Sequence, residues 1–185
     1  VILSGTLRSV LDVLGEFDDA KLLACLEAVH LVTDDNSAGK SPFSNLDMPI
    51  AENGSNLSQG QRQLLCVARA LLHKSRIVLF DEASSCIDYT TDMRITETVH
   101  QVFDKCTVIT IAHRLRTVIG YDKVMYMDHG KIMELDEPDK LLDDKSSHFY
   151  RLCKQTGPAE FQFLVEAAKQ AASKRQAPPT IAASS

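Results

Sequence analysis

Three short stretches carry residue types that could work on a phosphate. In "RIVLFDE", the apolar run Ile77 to Phe80 ends in Asp81 and Glu82. Such a run reads as a strand covered on both faces. A carboxylate at the carboxyl end of a buried parallel strand lies where open α/β sheets bind ligands. Asp81 can hold Mg²⁺ through water, because that ion keeps several of its waters. Glu82 can orient or deprotonate an attacking water. In "TVITIAHRL" a second buried strand is followed by His113. Parallel strands finish on the same sheet edge, so His113 can lie near Asp81 and Glu82. In "NLSQGQRQLLCVARALL", Ser58 and Gly60 stand at the amino end of a helix. The exposed N–H groups and dipole of that end make an anion site. Gly60 lets a phosphate approach the backbone, and the Ser58 hydroxyl can donate to it. Each stretch alone also fits a plain structural role: a solvated acidic turn, a structural histidine, a capped helix.

A fourth stretch, "NSAGKSPF", ends its Gly39-Lys40-Ser41 triplet like a phosphate-binding G-x-x-x-x-G-K-[ST] loop. The first glycine of that pattern is replaced by Asp34, and Pro42-Phe43 continues as loop where a helix should begin. The triplet reads as a solvated loop.

The elements that must position these residues follow from periodicity. "DDAKLLACLEAVHLV" places Leu22, Leu23, Leu26 and Val29 on one helical face. Residues 33–56, rich in Asp, Asn, Ser, Gly and Pro, read as loop. A helix over 59–73 carries the stripe Leu64, Leu65, Ala68, Leu71 and Leu72. Ser58 and Gln61 have the spacing of a capping box. "RIVLF", a helix through Ile95, Val99, Val102 and Phe103, and "TVITIA" together read as a parallel β-α-β unit. "KVMYMDHGKIMEL" reads as a hairpin around Asp128-His129-Gly130. "EPDKLL" starts a short helix, and "EFQFLVEAAKQAASKR" can form another. "QAPPTIAASS" has the composition of a disordered tail.

Composition sets bounds on function. The chain of 185 residues, 44% hydrophobic, is long enough for a sizeable core. A net charge of −5 argues against a general binder of nucleic acid or acidic membranes. No apolar run reaches the roughly 18–20 residues of a membrane span. Cys25, Cys66, Cys86, Cys106 and Cys153 are widely spaced with no C-x-x-C pair. They read as buried or inert thiols, not as a zinc ribbon or disulfide framework. The chain begins at Val1, without an initiating methionine, and reads as a fragment or mature piece of something longer, whose other part can carry membrane segments.

In this order and spacing, the three stretches resemble the nucleotide-binding domain of ABC transporters. "LSQGQ" is similar to the signature motif, "IVLFDE" to Walker B with its catalytic glutamate, "SCID" (Ser85 to Asp88) to the D-loop, and "AHRL" to the switch-histidine motif. The opening "VILSGTLRSVLDVLGEFDDAKL" resembles the segment after the Q-loop in the second such domain of the multidrug-resistance-associated subfamily C. The resemblance covers about residues 1 to 155. It departs at Gln59, where the common pattern has glycine, and the A-loop aromatic, the Walker A P-loop and the Q-loop glutamine are not present.

The resemblance implies an α/β fold, the C-terminal portion of a P-loop ATPase with a RecA-like parallel-sheet core and an ABC helical subdomain. Residues 1–74 would form the helical signature subdomain. Residues 75–156 would form part of the core, and 157–185 a C-terminal helix and tail. It implies ATP and Mg²⁺ as cofactors and a head-to-tail pairing with the first nucleotide-binding domain of the same transporter. Ser58, Gln59, Gly60 and Gln61 would face nucleotide held by that partner, and Asp88 would relay across the interface. Asp81 would serve Mg²⁺, Glu82 would polarise water, and His113 would sense the γ-phosphate. Arg8, Asp12 and Glu16 are candidates for a surface facing the transmembrane domains. The domain would lie on the cytoplasmic face of a membrane and couple ATP hydrolysis to export of amphipathic organic anions or conjugates, the fragment alone being inactive. Two other readings stay open: a soluble ABC ATPase, and a non-catalytic truncated remnant.

Overall fold

The computed structural model describes residues 4–32, 41–81, 89–112 and 114–176. They fall into two compact units, residues 1–111 and residues 112–185.

The first unit is built on helices. Helix α1 (Leu7–Leu11) follows strand β1 (Gly5–Thr6) and is held by a capping box between Thr6 and Ser9. Helix α2 (Asp19–Ala28) is capped by the Asp18 carboxylate, which accepts from the Lys21 N–H at 2.8 Å. Its buried face is Leu22, Cys25 and Leu26, with Val29 directly after, close to the stripe read from the sequence. The segment expected as loop holds more order than its composition suggests. Over 41–56 it forms two 3₁₀ turns (Pro42–Ser44 and Glu52–Gly54) and strand β2 (Pro49–Ile50). Strand β2 pairs antiparallel with β1. Helix α3 (Gln59–Leu72) buries Leu65, Val67, Ala68 and Leu72. These side chains join those of α1 and α2 and the loop residues Phe43, Leu46, Ile50 and Leu57 in one core.

Strand β3 (Ile77–Asp81), helix α4 (Tyr89–Val102) and strand β4 (Thr107–Ile111) complete the unit. The two strands are parallel and in register from Ile77 opposite Thr107 to Asp81 opposite Ile111, as a β-α-β unit requires. Ile95, Val99 and Phe103 are buried, as the period of α4 indicates. The expectation of strands covered on both faces is corrected. Val78 is buried and Phe80 packs on Phe103, with ring centroids 6.2 Å apart. Ile77, Leu79, Ile109 and Ile111 on the opposite face are 62%, 71%, 52% and 57% exposed. Among the described residues this sheet has only two strands, and its core-forming neighbours cover only one of its faces.

The second unit contains the expected hairpin, β5 (Val124–Asp128) with β6 (Lys131–Asp136). Its turn residues His129 and Gly130 have φ of 45° and 74°, the left-handed pair that suits the twist of a two-residue hairpin. Helices α5 (Leu115–Val118), α6 (Pro138–Asp143), α7 (His148–Lys154) and α8 (Pro158–Gln176) pack with it. Their core is Ile119, Val124, Leu141, Leu142, Phe149, Cys153, Leu164 and Ala168. Helix α8 is pinned at both ends. Arg116 Nε donates to Glu160 Oε1 at 2.6 Å, and Arg175 donates to Asp139 Oδ1 and the Tyr121 carbonyl, each at 2.8 Å. Cys25 and Cys153 are buried, and burial pushes the Cys153 thiol up to about 12. Cys66 is exposed, so of the buried-or-inert reading only burial fails there. The low-complexity tail from 177 onward lies outside the described residues.

Candidate functional site

The amino end of α3 is built as its sequence indicates. Ser58 is the N-cap, with extended backbone at φ −63° and ψ 160°. Its hydroxyl accepts from the Gln61 N–H at 3.2 Å, and the Gln61 side-chain oxygen accepts from the Ser58 N–H at 2.9 Å. This reciprocal pair fixes the first turn and leaves Gln59 and Gly60 as the first two helical residues, whose N–H groups have no intrahelical acceptor. Ser58 is exposed, Gln59 and Gln61 are half-buried and Gly60 is buried.

The burial of Gly60 has a cause the sequence did not reveal. A Cβ built on it would lie 2.6 Å from the Cγ2 methyl of Thr91, in the first turn of α4. Glycine therefore lets α3 and α4 approach, in addition to any approach by a ligand. Beside this contact lies a cavity of about 380 Å³. Its walls include Val29 and His30 after α2, Ser58, Gln61 and Leu64 of α3, and Ile95 of α4.

Asp81 is the last residue of β3, exposed and level with Ile111 of β4. Its carboxylate thus stands at the carboxyl edge of a parallel pair, the edge at which such sheets present ligand groups. Glu82, Asp88 and His113 lie outside the described residues, as do Gly39 and Lys40. Among the described residues, no group of three or more His, Cys, Asp or Glu could hold a metal ion. The donor set nevertheless suits a nucleotide: a hydroxyl and helix N–H groups for phosphate oxygens, and a hard carboxylate for a magnesium ion that keeps its waters.

Two of the candidates for a surface facing the transmembrane domains are partly occupied by local structure. Arg8 pairs with Asp19 through its two terminal guanidinium nitrogens, and its Nε lies 3.8 Å from Asp47. Asp12 is buried and accepts from the Phe17 N–H at 2.7 Å. Burial pushes its carboxyl up, but the backbone N–H groups of Phe17, Glu16, Gly15 and Leu14 outweigh this and hold it below the usual value. The turn they form carries Val13 and Leu14 outward, 57% and 75% exposed.

Comparison with known proteins bears on these motifs. Residues 21–85 match the ABC transporter family model. That span contains most of α2, the capped start of α3 and Asp81. The chain belongs to the ABC transporter family. It is 45% identical over 179 residues to the human ATP-binding cassette sub-family C member 4, covering 96% of this chain and 13% of the relative. It is 42% identical over 187 residues to the ATP-dependent bile acid permease of Saccharomyces cerevisiae, covering 92% of this chain and 11% of the relative. It is 42% identical over 166 residues to bile pigment transporter 1 of the same yeast, covering 83% and 11%. The chain thus spans about a tenth of the length of these ABC transporters. No helix among its described residues is long and apolar enough to cross a membrane.

Thr91 is the neighbour that reading motifs one at a time missed. Its signal was present in the spacing of Thr91, Ile95 and Thr98, which puts one face of α4 against α3.

Proposed function

We propose that this chain is the C-terminal part of the second ATP-binding domain of a sub-family C exporter. Residues 1–74 would be its signature subdomain, 75–156 part of its ATPase core, and 157–185 its C-terminal helix and tail. The observation that carries this reading is the start of α3, where "LSQGQ" forms a capping box with Ser58 outward and Gly60 against α4. Ser58, Gln59, Gly60 and Gln61 serve ATP held by the first domain of the same transporter, paired head-to-tail, and Asp88 lies at that junction. When bound, Mg²⁺ neutralises charge on the phosphates, and Asp81 is the residue that holds it through water. Glu82 orients the water for phosphoryl transfer, and His113 contacts the γ-phosphate. Positioning and charge stabilisation account for most of such catalysis. The open apolar face of β3 and β4 supports the reading, because a core sheet of this domain would be covered on both sides.

The domain lies on the cytoplasmic face of a membrane, with transmembrane domains as partners near Arg8, Asp12 and Glu16. The names of two relatives specify bile acid and bile pigment. They favour amphipathic organic anions as the exported class. In the intact transporter, Glu82→Gln abolishes hydrolysis at the site it serves and spares ATP binding there. Unchanged turnover at that site refutes the assignment. The 185-residue chain by itself binds ATP weakly and does not hydrolyse it, because it contributes no P-loop cradle. Micromolar affinity with turnover in a titration overturns that.

A further inference from the structure

We infer that Thr91 is a positioning residue for the phosphate-facing end of α3, resting on the reading of Ser58 and Gly60 as nucleotide contacts. The Thr91 methyl occupies the space that any side chain at position 60 would need, 2.6 Å from where its Cβ would stand. An ordinary contact begins at 3.4 Å. A methyl added to Gly60 therefore displaces the start of α3, or α4, by about 0.8 Å, unless Thr91 yields. Thr91 does not yield freely, because a β-branched side chain in a helix has essentially one or two rotamers. Its helix is anchored by buried Ile95, Thr98 and Val99, and Thr98 Oγ1 is tied to the Arg94 carbonyl at 2.8 Å.

The contact links the two halves of the chemistry. Helix α4 begins at Tyr89, directly after the segment that leaves Asp81 and contains Glu82 and Asp88. A shift of α4 is thus passed through Thr91 to the backbone at Gly60, and so to the Ser58 hydroxyl and the first N–H groups of α3. Among the contacts between α3 and α4, the close approach of Thr91 to Gly60 is the one at the signature itself. Glycine at 60 is then a requirement of the α4 contact as well as of the phosphate.

The test is a double-mutant cycle on kcat/KM for ATP in the intact transporter, run well below the melting temperature of every variant. Gly60→Ala lowers kcat/KM by about 100-fold, the scale of a displacement near 1 Å. Thr91→Ser removes only the methyl and keeps the hydroxyl. On the Gly60→Ala background it restores activity by about tenfold. Thr91→Ser alone lowers kcat/KM severalfold with little loss of stability, which keeps the test decisive if Gly60→Ala fails to fold. Equal impairment of Gly60→Ala with and without Thr91→Ser overturns the proposal. So does a Gly60→Ala variant that loses stability, regains it with Thr91→Ser, and shows wild-type kcat/KM when folded, since the contact would then serve folding alone. Failure of the underlying reading has a separate mark. Ser58→Ala with wild-type kcat/KM removes the nucleotide contact, and the proposal with it. Rescue of unfolding stability in the cycle would still report the packing.

Discussion

Glu134 offers the clearest test of how the second unit is held together. It lies on β6 opposite Tyr126 of β5. Its carboxylate accepts from the His148 N–H at 2.6 Å, the Ser147 hydroxyl at 2.9 Å and the Phe149 N–H at 3.1 Å. It therefore caps α7 from the sheet, while the His148 ring stacks on Tyr126 at 5.1 Å. Burial pushes its carboxyl up, but the two N–H groups, the hydroxyl and the nearby His148 outweigh that and hold it below the ordinary value. A lowered folded pKa stabilises above the unfolded value, which is 4.5 for a free Glu side chain. That contribution is lost as pH falls through the folded value. Glu134→Gln keeps the shape and loses the charge. Hydrogen bonds to charged groups contribute about 1 kcal/mol more than neutral ones, and one of the three donors then faces an amide, so the cost at neutral pH is about 2–3 kcal/mol. The assay is urea unfolding followed by tyrosine fluorescence. Three of the four tyrosines, Tyr121, Tyr126 and Tyr150, lie in this unit. The midpoints of wild type and variant differ at about pH 7, and the gap narrows as pH falls below the unfolded value and through the folded one. A gap that is absent at about pH 7, or that does not narrow as pH is lowered below the unfolded value, refutes the reasoning.

Other consequences are as direct. Leu65→Ala, at a side chain with 0% exposure in the first core, costs about 2–5 kcal/mol in urea unfolding. Gly130→Ala costs about 1 kcal/mol by the same measure, from backbone strain alone, because φ is 74° and no atom lies within 4 Å of the added methyl. Amide protons of β3 and β4 exchange faster than those of α3 in the isolated chain, because one face of the pair is open. Breaking the Arg116–Glu160 pair with Glu160→Gln accelerates exchange in α8. About 1 M salt produces part of the same effect in wild type, since the pair is about one-third exposed.

What could be read from sequence depended on whether the deciding neighbour was local. The capping box at Ser58 and Gln61, the hairpin turn at His129-Gly130 and the start of α6 at Pro138 are set by residues a few positions apart, and each is found where its chemistry points. The parallel pairing of β3 and β4 was legible from two apolar runs separated by a helical period. Helix α7 was not, because its cap lies partly on β6: Glu134 is more than a turn away in sequence and reaches it only through the fold. The 3₁₀ turns and β2 were hidden for a similar reason. A polar, glycine-containing segment becomes ordered when Phe43, Leu46 and Ile50 find a core supplied by α1, α2 and α3.

At the candidate site, the local and the functional roles of the same residues do not compete. A serine that caps a helix was a sufficient account of "LSQGQ", and so was a serine that meets a phosphate. The cap consumes the Gln61 N–H and uses the Ser58 oxygen as acceptor. It leaves the hydroxyl proton and the first N–H groups of α3 without an intrahelical acceptor, the groups an anion needs. Fixing those donors in advance lowers the entropy that a ligand must otherwise supply on binding. The packing at Gly60 works the same way: Thr91 holds the first turn still, so the structural contact and any phosphate contact depend on the same missing side chain. A substitution at Gly60 is thus felt by both, and only a change at Thr91 can separate them.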